Sequence, residues 1–131
     1  MKYQRELFVS QSRSNIKTIE ICLKKLAKNI NDEPSIKEIS MAAHSLEGDS
    51  LTAEEYLVAY IASKMRYIMG TISSKKVRLD NEKLSYLNDF FGTFKKAFDN
   101  IAAAKKSKID MKILRKLELL ISSNYKTKGV Y

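Results

Sequence analysis

The sequence predicts an all-α fold, an up-down antiparallel bundle of four core helices with a short fifth. Three observations predict it. Apolar residues recur every three or four positions along successive stretches, the period of a helix with one buried face. Turn-formers are scarce, with one proline and four glycines in 131 residues, while Lys, Leu, Ile and Ala are abundant. Capping signals, a short polar residue ahead of a new apolar run, separate the stretches.

The first helix is predicted from about Tyr3 to Asn31. Phe8, Ser12, Ile16, Ile19, Leu23, Leu26 and Ile30 form one stripe, widened by Leu7, Val9 and Cys22. Asn31-Asp32-Glu33-Pro34 breaks it, because proline disfavours a helical residue before it. Ser35 and Glu38 have the spacing of a capping box for the second helix. Its stripe is Ile36, Ile39, Ala43, Leu46 and Ser50, and its end is expected near Asp49 or Ser50. Thr52 and Glu55 repeat the capping-box spacing for the third helix, with Leu51 placed to staple against Tyr56. Val58, Ile61, Met65, Ile68 and Ile72 are its inward face, and Gly70 with Ser73-Ser74 predicts fraying there.

Lys75-Lys76-Val77-Arg78 is a basic connector. Asp80 is the expected cap of the fourth helix, with Leu79 stapled to Leu84. Leu84, Leu87, Phe91, Phe94, Phe98 and Ile101 alternate by three and four, which suits a coiled-coil seam or a bundle core. With under four heptads in a chain of amphipathic helices, the bundle and a monomer are favoured. Lys105-Lys106-Ser107-Lys108 is a second basic loop. Asp110 caps a fifth helix with Ile109 stapled to Leu114 and with Leu114, Leu117, Leu120 and Ile121 facing inward, and residues 122–131 read as a frayed tail.

The length suits one domain with one core, residues 1–131. Cys22 is the only cysteine, so no intramolecular disulfide forms. No 18-residue apolar run and no signal-peptide core are present, and the reading is a cytoplasmic protein with no membrane partner. Residues 1–70 hold 10 Lys/Arg and 9 Asp/Glu, whereas residues 71–131 hold 14 and 6, so the excess of +9 lies almost wholly in the second half. Such asymmetry raises nucleic acid as a partner, through Lys75, Lys76, Arg78, Lys105, Lys106 and Lys108. Few aromatics interleave with these cations, and a solvated basic surface is the simpler reading.

His-Cys clusters, a phosphate-cradling glycine loop and a nucleophile triad are all missing from the sequence, so no metal and no cofactor are expected. Asp32/Glu33 and Glu54/Glu55 sit at helix starts, where they complement the helix dipole. The one candidate for chemistry is His44, the only histidine. It lies one residue off the second-helix stripe, so its ring is predicted at the core's edge and open to solvent. Glu47 and Gly48, three and four residues on, share its face. A neutral imidazole has a nucleophilic nitrogen near neutral pH and can accept a phosphoryl group. The plain alternative is a boundary histidine without chemistry.

Ala42-Ala43-His44-Ser45-Leu46-Glu47-Gly48 resembles the motif of the histidine phosphotransfer (HPt) domains, those at the N-terminus of chemotaxis histidine kinases in particular. Glu6-Leu7-Phe8-Val9 opening a long helix, the acidic-proline break, the Ile36/Ile39 stripe, Ile61-Ala62-Ser63-Lys64-Met65, Leu79-Asp80 before a Leu/Phe-rich helix and Ile109-Asp110 follow in the same order, over about residues 6–121. The resemblance implies an HPt-like bundle in which a histidine kinase phosphorylates His44. The group then passes to an aspartate on a response-regulator receiver domain, and Gly48 leaves room for that domain to close. Two positions depart from the family. Glu47 stands where the family usually has lysine, and Arg66 where the chemotaxis domains have the glutamate that orients the imidazole. Arg66 is placed to pair with Glu47 or to contact phosphate, and Lys64 and Lys37 are candidates for the replaced cation. The expected activity is that of a stand-alone phosphocarrier, since 131 residues leave no room for a kinase's other domains. The alternative is a bundle that binds a protein partner without phosphotransfer.

Overall fold

The computed structural model describes residues 2–104. Among them every regular element is a helix: α1 (Lys2–Lys28), α2 (Glu33–Thr52), α3 (Tyr56–Ser73) and α4 (Asn81–Ala104). The predicted fifth helix, the Lys105–Lys108 loop and the tail at 122–131 lie outside the described residues.

The four helices pack as a bundle around one apolar cluster. α2 packs against α1 on one side and α3 on the other, and α4 lies against α1. The predicted stripes are the buried faces. Phe8, Ile16, Ile19, Leu23 and Leu26 of α1 meet Ile36, Ile39, Ala43 and Leu46 of α2 and all five predicted α3 residues in this cluster. The whole α4 series from Leu84 to Ile101 is buried, with Phe90 and Ala97 added. Phe98 bridges α4 to α1, its ring 6.0 Å from that of Phe8 and 6.5 Å from that of Phe94. Leu7, expected on the α1 stripe, is 45% exposed instead, being one position off the Phe8 face. Val77 in the basic connector is buried and closes the core beneath the α3–α4 turn.

Ion pairs tie the outer surfaces together. Arg13 contacts Asp99 at 3.1 Å, and Lys95 Nζ donates to Glu20 at 2.7 Å. That hydrogen bond holds the Glu20 carboxyl below its usual range and the Lys95 ammonium above its own. Lys75 pairs with Glu33 at 3.1 Å, joining the end of α3 to the start of α2.

Several helix ends differ from expectation. α1 stops at Lys28, and Asn29 forms a turn in which its carbonyl accepts from Asp32 N–H and its side chain from Asn31 N–H. The cap of α2 is Asp32, not Ser35. Its carboxylate accepts from the Ser35 backbone N–H and hydroxyl, and Pro34 sits in the first turn, where a missing N–H costs nothing. Thr52 is the last residue of α2, not a cap for α3: its hydroxyl donates to the Gly48 carbonyl. Glu55 is the N-cap of α3 and makes no side-chain capping bond. Leu51 and Tyr56 are 51% and 61% exposed, so no staple joins them.

Both α2 and α3 end in Schellman motifs. Glu55 N–H bonds to Ser50 C=O and Glu54 N–H to Leu51 C=O; Lys76 and Lys75 do the same to Thr71 and Ile72. The left-handed residue is Glu54 (φ 59°) in the first and Lys75 (φ 65°) in the second. Gly70 therefore ends nothing; α3 runs through it to Ser73. At α4 the expectation holds: Asp80 accepts from Lys83 N–H at 2.9 Å and from its buried ammonium at 3.0 Å, while Leu79 and Leu84 are both buried.

Candidate functional site

His44 lies just past the middle of α2 (Glu33–Thr52). The buried residues Ala43 and Leu46 on either side of it fix the helix's inward direction, and His44 is left exposed. Among the described residues its imidazole makes no hydrogen bond or ion pair. Gly48, one turn on, is also exposed, and a Cβ built there would meet nothing within 4 Å. Packing within the chain therefore does not require glycine, although a mid-helix glycine costs about 1 kcal/mol relative to alanine. The same space surrounds Gly70 and Gly92; what distinguishes Gly48 is its place beside the imidazole.

Glu47 and Arg66 meet. Arg66 Nε on α3 donates to Glu47 Oε1 at 2.7 Å, with the two side chains 43% and 18% exposed. Glu47 is one turn from His44 on the same helical face, and side chains so spaced have Cβ atoms about 5–6 Å apart. All four predicted site residues thus belong to one patch, with the guanidinium reaching over from α3. Of the two candidate replacement cations, Lys64 is turned onto the Tyr60 ring, 5.1 Å from its centroid. Lys37 is exposed on the His44 face, seven residues and about 10 Å of helix rise away.

Two apolar residues complete the face and were not among the predicted site residues. Met41, three positions before His44, is 66% exposed, and Leu51, three after Gly48, is 51% exposed. Both lie off the core stripe, which was the available signal. Together they give the exposed face of α2 an apolar residue at each side of the imidazole.

The described part of the basic patch is the α3–α4 connector. Of the patch's residues, Lys75 is ion-paired with Glu33, Lys76 and Arg78 are exposed, and Lys105, Lys106 and Lys108 lie outside the described residues. No group of three or more His, Cys, Asp or Glu among the described residues could hold a metal ion, and no described helix is long and apolar enough to cross a membrane.

Cys22 is buried, and its thiol donates to Glu38 Oε2 at 3.2 Å. Glu38 therefore serves this contact and not the capping box its spacing suggests. Burial, reinforced by the Glu38 carboxylate, pushes the thiol from 9.0 up to about 11. The folded state thus favours the neutral thiol. Its contribution is fully present below about pH 9 and is lost as pH rises through about 11, amounting to about 3 kcal/mol. Chemical unfolding of wild type and Cys22→Ala between pH 8 and 11 is expected to show a steeper alkaline loss in wild type. Parallel pH profiles would contradict it.

No family model matches the chain, and neither curated proteins nor solved structures return a match.

Proposed function

We propose that this protein is a histidine phosphocarrier: His44 accepts a phosphoryl group from a histidine kinase and passes it to a receiver-domain aspartate. The observation that carries the reading is the exposed, unengaged imidazole beside an open glycine on α2. The reading includes an HPt-like up-down antiparallel topology. It is supported by the cross-helix pairs Arg13–Asp99 and Glu20–Lys95, whose numbers rise on α1 as they fall on α4.

In the accepting step the unprotonated ring nitrogen attacks phosphorus. The N–P bond forms as the donor's bond to its leaving oxygen breaks, and the other ring nitrogen keeps its proton. In the second step a receiver carboxylate oxygen attacks the same phosphorus, and the imidazole leaves as the nucleophile it was. The exposed face bearing Met41, His44, Gly48 and Leu51 is where the partner's active site would close. Protein binding without phosphotransfer is favoured by one observation, the pairing of Glu47 with Arg66, which leaves no described carboxylate bonded to the imidazole.

The reading is tested by back-transfer. A receiver domain charged with acetyl phosphate, incubated with the protein, is expected to yield acid-labile, base-stable phosphate on the chain. A receiver that binds but transfers nothing would leave the protein-binding reading in its place.

A further inference from the structure

We infer that Arg66 is the phosphoryl-binding cation of the His44 site and that Glu47 is an internal anion competing for it. The inference rests on the phosphocarrier reading. Arg66 makes its bond to Glu47 through Nε, and its terminal nitrogens make no hydrogen bond among the described residues. Those nitrogens form the outer edge of a planar fork whose geometry suits two oxygens of a phosphoryl group. The bond to Glu47 brings the guanidinium to a side chain one helical turn from the imidazole. Lys64, which could otherwise serve, is committed to Tyr60.

The charges explain why Glu47 and Arg66 belong together. The phosphoryl group on an imidazole bears roughly two negative charges at neutral pH. A bare carboxylate one turn away would oppose them. Arg66 neutralises Glu47 and, with 43% of its side chain exposed, can turn its free edge to the phosphoryl oxygens without being dug out of the core. The cation that the HPt resemblance places on α2 is in this chain delivered from α3. Before phosphorylation the Glu47 carboxylate occupies part of the guanidinium; after it, phosphoryl and carboxylate share or exchange it.

The test uses the full chain with phosphoramidate as a small-molecule phosphoryl donor. Wild type, Arg66→Ala, Arg66→Lys and Glu47→Gln are compared for initial rate of phosphohistidine formation and for its half-life after the donor is removed. Thermal unfolding of each variant serves as the folding control. Arg66→Ala is expected to lower the rate about tenfold and shorten the half-life, the loss of a charge-assisted contact at a partly exposed site. Arg66→Lys recovers part of the rate, because it keeps the charge and loses the fork. Glu47→Gln raises the rate about threefold by freeing Arg66. Phosphorylation of His44 at the wild-type rate in Arg66→Ala overturns the inference and leaves the carrier reading standing. A lower rate in Glu47→Gln overturns the competition. No phosphorylation of folded wild type overturns the carrier reading and the inference with it.

Discussion

Phe94→Ala is expected to lower the unfolding free energy by about 3–5 kcal/mol, the usual result of deleting a fully buried aromatic ring. Phe94 has no exposed surface and packs in the middle of the α4 stripe against Phe98, which in turn reaches Phe8 on α1. Removing the ring loses its transfer free energy and leaves a gap that Phe98 cannot fill without giving up its contact with α1. For a domain of this size that is a large part of a total stability of about 5–15 kcal/mol. Leu7→Ala is the control: Leu7 is 45% exposed, and its loss is expected to stay within about 0.5 kcal/mol. Urea unfolding at 25 °C measures both. A Phe94→Ala loss under about 1 kcal/mol would mean that α4 does not pack as described.

Reversing the Glu47–Arg66 pair is the second large effect. Arg66→Glu alone places two carboxylates together beside His44. Like charges about 4 Å apart near a surface repel by roughly 1–4 kcal/mol, and a phosphoryl group would add to the repulsion. Its phosphorylation rate is expected to fall at least about tenfold. Adding Glu47→Lys restores an ion pair of opposite orientation, with lysine on α2 and glutamate on α3, and is expected to bring the rate to the wild-type level or above. The single variant should lose stability through the same repulsion, and the double variant should return close to wild type, because pairs this exposed contribute about 0–1 kcal/mol. Phosphoramidate labelling separates the outcomes: equal rates in the single and double variants would show that the pair has no part in phosphoryl acceptance.

The core was legible because burial follows helical period. Once Ile16, Ile19, Leu23 and Leu26 align at steps of three and four, the inward face is determined, and the same holds for the Leu/Phe series of α4. Leu7 shows the limit: it is as apolar as its neighbours, and only its angle on the helix keeps it out of the core. The helix ends were harder because their usual glycine signal is misleading in this chain. Glu54 and Lys75 take the left-handed positions, while Gly48, Gly70 and Gly92 lie inside helices. Asp32 and Ser35 both have capping chemistry, and only the observed turn at Asn29 shows which one reaches the free N–H groups.

The site divides in the same way. The exposure of His44 follows from its place beside the stripe. The Glu47–Arg66 contact crosses from one helix to the next over 19 positions, and no local spacing encodes it. That pairing was foreseeable only through the HPt resemblance, which places both departures near His44, whereas the Cys22–Glu38 bond was hidden, since Glu38 had an alternative local role. Nor could spacing show that Lys64 turns onto Tyr60, away from the role its charge suggested.

Whether His44 carries a phosphoryl group is decided by the phosphorus NMR spectrum of the full chain after treatment with phosphoramidate. One phosphoimidazole resonance is expected in wild type, stable in base and lost in acid, and it is expected to be absent from a His44→Gln variant with an unchanged thermal unfolding curve. A folded wild-type protein without that resonance, or the same resonance persisting in His44→Gln, would contradict the phosphocarrier reading.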